Sequence, residues 1–218
     1  MAVADTLTLY LVRHGETEYN RKRIMQGRGI NSDLNATGRT QAKALARRFA
    51  EIPLDAIYTS ALKRADQTAQ VIAEAHPDVP YHRLSDLEEM AWGIYEGMPI
   101  EPHVSEMFAE MYARWDRGEY DYAVEKGESI LDVQRRALRA VETIRAAWPT
   151  GTVLILTHGR FLRVLLASLL NEYGLARMQE LHHANTAVNR LIWTGDRFEA
   201  DLLNSTDHLA YVETIMVE

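Results

Sequence analysis

Two short apolar runs of this chain end in the same unusual way. Residues 7–12 (LTLYLV) stop at Arg13-His14-Gly15, and residues 151–157 (GTVLILT) stop at His158-Gly159. Each run is short, rich in β-branched and leucine side chains and closed by glycine, the pattern of a strand buried on both faces. A third such run, residues 56–58, ends at Thr59-Ser60. Helical spacing fills the intervals. Asn35 is a helix N-cap residue type, and Ala42, Leu45, Ala46 and Phe49 follow at i, i+3, i+4 and i+7. Residues 62–75 and 104–115 read as helices, and Ser129 can cap another that carries Val133, Ala137, Val141 and Ile144. Residues 20–34 read as a loop. Residues 187–193 and 198–203, joined by Thr194-Gly195-Asp196, give a hairpin signal. Strands alternating with helices predict an α/β fold: a three-layer sandwich with a mostly parallel central sheet and helices on both faces. The expected organisation is a single domain over residues 1–218, with residues 98–126 a small helical, cap-like insertion over the active site.

Composition narrows the partners. A chain of 218 residues can bury a sizeable core without staples. Its formal net charge of -7 argues against nucleic acid or an anionic membrane as the main partner. The sequence contains no cysteine, which removes disulfides, thiol catalysis and cysteine-ligated zinc. The first residues carry no basic n-region before the apolar run, and no apolar run reaches the ~20 residues of a membrane helix, so a cytoplasmic protein is expected.

In open parallel sheets, ligands bind outside the carboxyl ends of the strands. His14 and His158 both stand there, and the glycine after each lets backbone approach a ligand. Arg13 adjoins the first histidine, and Arg64 lies just inside the helix after the third strand. Two arginines and two histidines at strand ends make an anion pocket, because the guanidinium fork matches phosphate and does not deprotonate. Arg-His-Gly alone is a common tripeptide; the conjunction carries the reading. His182-His183 and Asp207-His208 are read as a surface pair and a local segment, not as a metal site. No dinucleotide fingerprint, Walker loop or Gly-x-Ser-x-Gly is present.

A longer set of segments extends the pattern. Residues 11–17 (LVRHGET) are followed by Asn20 and by Gln26-Gly27. Residues 34–42 (LNATGRTQA) and 58–69 (YTSALKRADQTA) come next, then Glu89, Gly93, Glu96 and Gly97, then Gly127-Glu128-Ser129, Thr157-His158-Gly159 and residues 204–209 (NSTDHL). This set resembles the histidine phosphatase superfamily, in its phosphoglycerate mutase-like branch. The resemblance implies that His14 is a phosphoryl-accepting nucleophile, that Arg13, Arg64 and His158 hold the phosphoryl oxygens, and that Glu89 is general acid and then base. Glu89 is preferred to its neighbour Glu88 because it stands four residues before Gly93. Asn20 and Gln26 are implied as further phosphate or substrate contacts. No metal and no cofactor are expected; the expected partners are a small phosphorylated metabolite and inorganic phosphate as product, with a homodimer possible.

The same resemblance leaves the acceptor open. A metal-independent phosphomonoester hydrolase is favoured, because residues 98–126 are short and mostly acidic and the chain ends soon after Leu209. A cofactor-dependent phosphoglycerate mutase is the alternative. A catalytically inactive binding protein of the same fold is disfavoured by the presence of His14, Arg64, Glu89 and His158. Arg21, Lys22, Arg23 and Arg28 form a basic loop beside the nucleophile that could steer an anionic substrate.

Overall fold

The computed structural model of the protein describes residues 6–100 and 102–210, and of residues 102–105 and 107 the backbone alone. The start of the chain, read above as lacking a leader, and the segment after Ala210 lie outside the described residues.

Strand β1 (Leu7–Arg13) sits inside the sheet. Its Leu7, Leu9 and Leu11 enter one apolar cluster and its Tyr10 and Val12 another. Such two-sided burial needs a helical layer on each face. After a helical turn, α1 (Glu18–Arg21), helix α2 (Ala36–Phe49) starts at Asn35, whose side chain accepts from the Gly38 N–H. Strand β2 (Ala56–Ser60) leads into α3 (Lys63–Ala73), and β3 (Tyr81–Leu84) follows. Helix α4 (Pro102–Asp116) lies in the predicted insertion. Helix α5 (Ile130–Ala147) opens with a reciprocal capping box between Ser129 and Asp132. Strand β4 (Gly151–Thr157), helix α6 (Gly159–Leu169) and the hairpin β5 (Val188–Trp193) with β6 (Phe198–Ser205) complete the chain.

The sheet order is β3-β2-β4-β1-β5-β6. The first four of these strands are mutually parallel and the terminal hairpin is antiparallel, so the sheet is mixed rather than wholly parallel. Helices α2 and α3 cover one face through Leu45, Phe49, Ala65, Ala69 and Ile72. Helices α5 and α6 cover the other through residues such as Val133, Ile144, Phe161 and Leu165. The expected three layers are present. Among the described residues no helix is long and apolar enough to cross a membrane.

Three readings change. Strand β3 was not anticipated, because Tyr81-His82-Arg83-Leu84 has no apolar alternation and exposes its two central residues on the sheet edge. The 62–75 helix is shorter, beginning after Leu62 and ending at Ala73. The 20–34 loop is preceded and overlapped by α1, whose Thr17–Asn20 capping box holds it.

Register is what positions the site. Strands β1 and β4 pair from Leu7 with Gly151 through to Arg13 with Thr157, so His14 and His158 each follow the last paired residues. On the other side of β4, Thr59 pairs with Leu156, which brings Ser60 to the same edge.

Candidate active site

The sheet edge opens into a cavity of about 280 Å³. Arg13, His14, Asn20, Gln26, Arg64 and Glu89 all line it, gathered from loops far apart in sequence. Residues 14–16 are pinned by close backbone contact. A Cβ on Gly15 would lie 2.6 Å from the Gly38 carbonyl oxygen, and one on Gly38 would lie 2.0 Å from that of Glu16. Only glycine at both positions lets the loop rest on the start of α2. The Gly15 N–H donates to Thr68 Oγ1 of α3, and the Glu16 N–H to Gln41 Oε1 of α2.

His14 is buried, and its Nδ1 lies 2.7 Å from the Gly15 carbonyl oxygen. A carbonyl only accepts, so Nδ1 carries the proton and Nε2 carries the lone pair. Burial, then the charges of Arg64 and Arg13, push the His14 pKa well below its ordinary value. The imidazole is therefore neutral. The His158 ring lies 5.1 Å from that of His14, centroid to centroid, and is fully buried. Its Nε2 meets Ser60 Oγ at 2.8 Å, while its Nδ1 is buried without a partner. Ser60 Oγ already accepts the Leu62 N–H. The pKa of His158 is also well below the usual value, through burial first and Arg64 second.

Arg64 stands in the first turn of α3, 1% exposed. Its two terminal nitrogens donate to the carbonyls of Ile30 and Gly27, and its Nε is buried and unpaired. Burial lowers its pKa to about 10, which still leaves it charged at neutral pH. Arg13 Nη1 donates to the His183 carbonyl at 2.7 Å, and its Nε is likewise unpaired. Two cations with idle buried N–H groups, both at one cavity, form a site for an anion.

Glu89 is held at the N-terminus of α6. Its Oε1 accepts the N–H groups of Met90 and Phe161, and its Oε2 that of Arg160. The segment behind it is clamped by Arg136, which donates to the carbonyls of Asp86, Glu88 and Glu89 and to both oxygens of Glu128. Glu88 points elsewhere: Arg28 Nε donates to its Oε2 at 2.5 Å. Asn20 Oδ1 accepts the N–H and hydroxyl of Thr17. Gln26 Oε1 accepts from Ser32 Oγ.

Two arginines with idle N–H groups, a neutral histidine and a carboxylate at one cavity fit a phosphoryl group. The chain matches the histidine phosphatase superfamily (branch 1) over residues 9–206. It belongs to that superfamily. Among its relatives, phosphoserine phosphatase 1 of Hydrogenobacter thermophilus is 34% identical over 162 residues, covering 74% of this chain and 75% of that protein. The Escherichia coli protein named "Probable phosphoglycerate mutase GpmB" is 30% identical over 213 residues, covering 93% of this chain and 95% of its own. The solved structure of Bacillus stearothermophilus YhfR superposes with a TM-score of 0.83 at 32% identity, covering 93% of this chain and 99% of that one.

Two parts of this histidine phosphatase site were missed in the sequence. His183 is not a surface residue: it is buried and lines the cavity. Arg160 and Arg163 of α6 line it too. Their i, i+3 spacing on an otherwise apolar helix was the available signal. The basic loop is less free than expected. Arg21 and Lys22 pair with Glu18, and Arg28 pairs with Glu88 and Glu128.

Proposed function

We propose that the protein hydrolyses a small phosphomonoester through a phosphohistidine on His14 Nε2. The observation that carries this reading is the His14–Gly15 hydrogen bond, which puts the proton on Nδ1 and leaves a neutral nucleophile beside two unpaired arginine N–H groups. In the first step the Nε2–P bond forms and the P–O ester bond breaks. Arg13, Arg64 and His158 Nδ1–H bind the three phosphoryl oxygens as charge shifts onto them. In this reading the Ser60 hydroxyl, which accepts the Leu62 N–H, gives its own proton to His158 Nε2, and the unpartnered Nδ1 carries the N–H. Glu89 gives a proton to the departing alkoxide. Its Oε2, which accepts one N–H against two at Oε1, is the oxygen suited to carry it. In the second step water attacks phosphorus, Glu89 takes the water's proton, and inorganic phosphate leaves as His14 returns to neutral. Asn20 and Gln26 line the same cavity and complete the substrate contacts.

A mutase reading is favoured by the name of one relative. It asks the cavity to keep water out and to offer basic groups to a second substrate from the insertion. No described side chain of α4 lines the cavity; its Phe108 and Tyr112 line a small neighbouring pocket that shares Met25 and Ile100 with it, and neither is basic. Hydrolysis is the better fit.

Incubation with p-nitrophenyl phosphate followed by alkaline quench tests this directly. The native protein should carry acid-labile phosphate and release phosphate to water, and His14→Ala should do neither. Acid-labile phosphate persisting on His14→Ala overturns the assignment.

A further inference from the structure

Residues 27–29 read Gly-Arg-Gly, the composition of a turn that cradles an anion on its backbone N–H groups. Here the anion belongs to the chain itself. Glu96 Oε1 accepts the N–H groups of Arg28 and Trp92, and its Oε2 accepts that of Gly29. The turn closes tightly on this carboxylate: a Cβ on Gly27 would lie 2.0 Å from Oε1, and one on Gly29 would lie 2.1 Å from Oε2. Glu96 stands outside the catalytic cavity and lines a neighbouring pocket with Arg28, Gly29 and Lys126. It therefore reaches the reaction only through what it holds.

The carbonyl side of the same turn faces Arg64. Its Nη2 donates to the Gly27 carbonyl at 2.9 Å and its Nη1 to the Ile30 carbonyl at 2.8 Å. The Gly27 carbonyl and the Arg28 N–H are two ends of one peptide group, and in a trans peptide they point in opposite directions. A single amide thus runs from the Glu96 carboxylate to the Arg64 guanidinium, its N–H on the anion and its C=O on the cation. Each charge polarises the amide in the sense that strengthens the bond at the other end. Burial works against the Arg64 charge, and the carboxylates of Glu89 and Glu96 offset part of that cost. Because carbonyls of residues 27–30 hold both terminal nitrogens, this segment sets the plane of the guanidinium and the direction of its unpaired Nε–H.

We propose that Glu96 is a positioning residue for Arg64, acting through the Gly27–Arg28 peptide group, so that phosphate is held partly by a carboxylate that does not touch it. The link to turnover rests on the phosphatase reading; the link to phosphate binding does not. Glutamine at this position keeps the shape and removes both the charge and one acceptor oxygen. Its NH2 group then faces at least one of the N–H groups that now converge on Glu96, and a donor set against a donor opens the turn.

A double-mutant cycle tests this, because residues acting through one another are not additive. Glu96→Gln, Arg64→Met and the double variant are compared with the native protein in two readouts, calorimetric binding of inorganic phosphate and kcat/KM for p-nitrophenyl phosphate. Glu96→Gln should weaken both by about tenfold in the native background, the scale of a charge-assisted hydrogen bond. With Arg64 already replaced, the same change should cost less than about twofold. Equal losses in the two backgrounds mean that Glu96 acts on the fold at large, and overturn the proposal. If Glu96→Gln does not fold, Arg64→Met alone decides by NMR: the Arg28 amide proton should move upfield once the cation that polarises its bond to Glu96 is gone, and an unmoved resonance overturns the proposal. Phosphate binding that follows the expected cycle without any turnover removes the phosphatase and leaves the positioning role. Turnover with additive losses does the reverse, and a native protein that neither binds phosphate nor turns over substrate removes both.

Discussion

At the scale of single residues, the division of labour between neighbouring carboxylates is set by what surrounds each. Glu89 has backbone N–H donors and the cavity, and Glu88 has Arg28. The proposed acid matters most when the leaving group is poor, since a good one departs without a proton. Glu89→Gln keeps the shape and removes the titrating proton. Single-turnover phosphorylation of His14 by an alkyl phosphate should then slow by ~10²–10⁴-fold, the usual share of a positioned acid. Phosphorylation by p-nitrophenyl phosphate should slow far less. Glu88→Gln should leave the leaving-group dependence intact. Rapid-quench measurement of phosphoenzyme checks this, and a leaving-group-dependent defect in Glu88→Gln alone would place the acid one residue earlier.

Elements are joined here by backbone contact as much as by side chains. The turn after β1 rests on the first turn of α2 through Gly15 and Gly38. Alanine in place of a helical glycine normally stabilises by about 0.5–1 kcal/mol. At Gly38 the new Cβ meets the Glu16 carbonyl, which itself accepts the Asn35 N–H and cannot easily yield. Gly38→Ala should therefore destabilise by about 1–3 kcal/mol, lowering Tm by several degrees in thermal denaturation, and should slow His14 phosphorylation by moving its loop. Thr40→Ala, exposed on the same helix, should shift Tm little. The same geometry explains what the sequence made legible. The continuous apolar runs at residues 7–12 and 151–157 mark strands buried on two faces, and a shared stop at His-Gly puts both histidines at one edge once the strands pair in register. Strand β3 left no such trace, because an edge strand with His82 and Arg83 exposed has no buried face to encode. His183 was illegible for a related reason: its burial comes from the chain folding over it, and its neighbour His182 is exposed.

Over the whole molecule, a chain of net charge -7 places four of its arginines at one cavity and keeps its buried histidines neutral. The pKa values of His14 and His158 are well below the usual value, and those of His183 and His208 are about 3 and about 4, burial being the first cause in each case. In the unfolded chain all four titrate near 6.5. Above about pH 7.5 they are neutral in both states and contribute no pH dependence. As pH falls through 6.5, the unfolded chain takes up protons that the folded chain refuses, so stability falls. Each such proton costs about 1.4 kcal/mol per pH unit, and the slope steepens until His208 begins to protonate in the folded protein near pH 4. Tm should be nearly level between pH 7.5 and 9 and should drop steeply between pH 6.5 and 5. Calorimetry in buffers of different ionisation enthalpy should count about three to four protons taken up on unfolding at pH 5.5. Equal Tm at pH 5.5 and 7.5, with no proton uptake, would mean that the histidines are charged in the fold, and with a charged His14 the nucleophile assigned here would have no lone pair to offer.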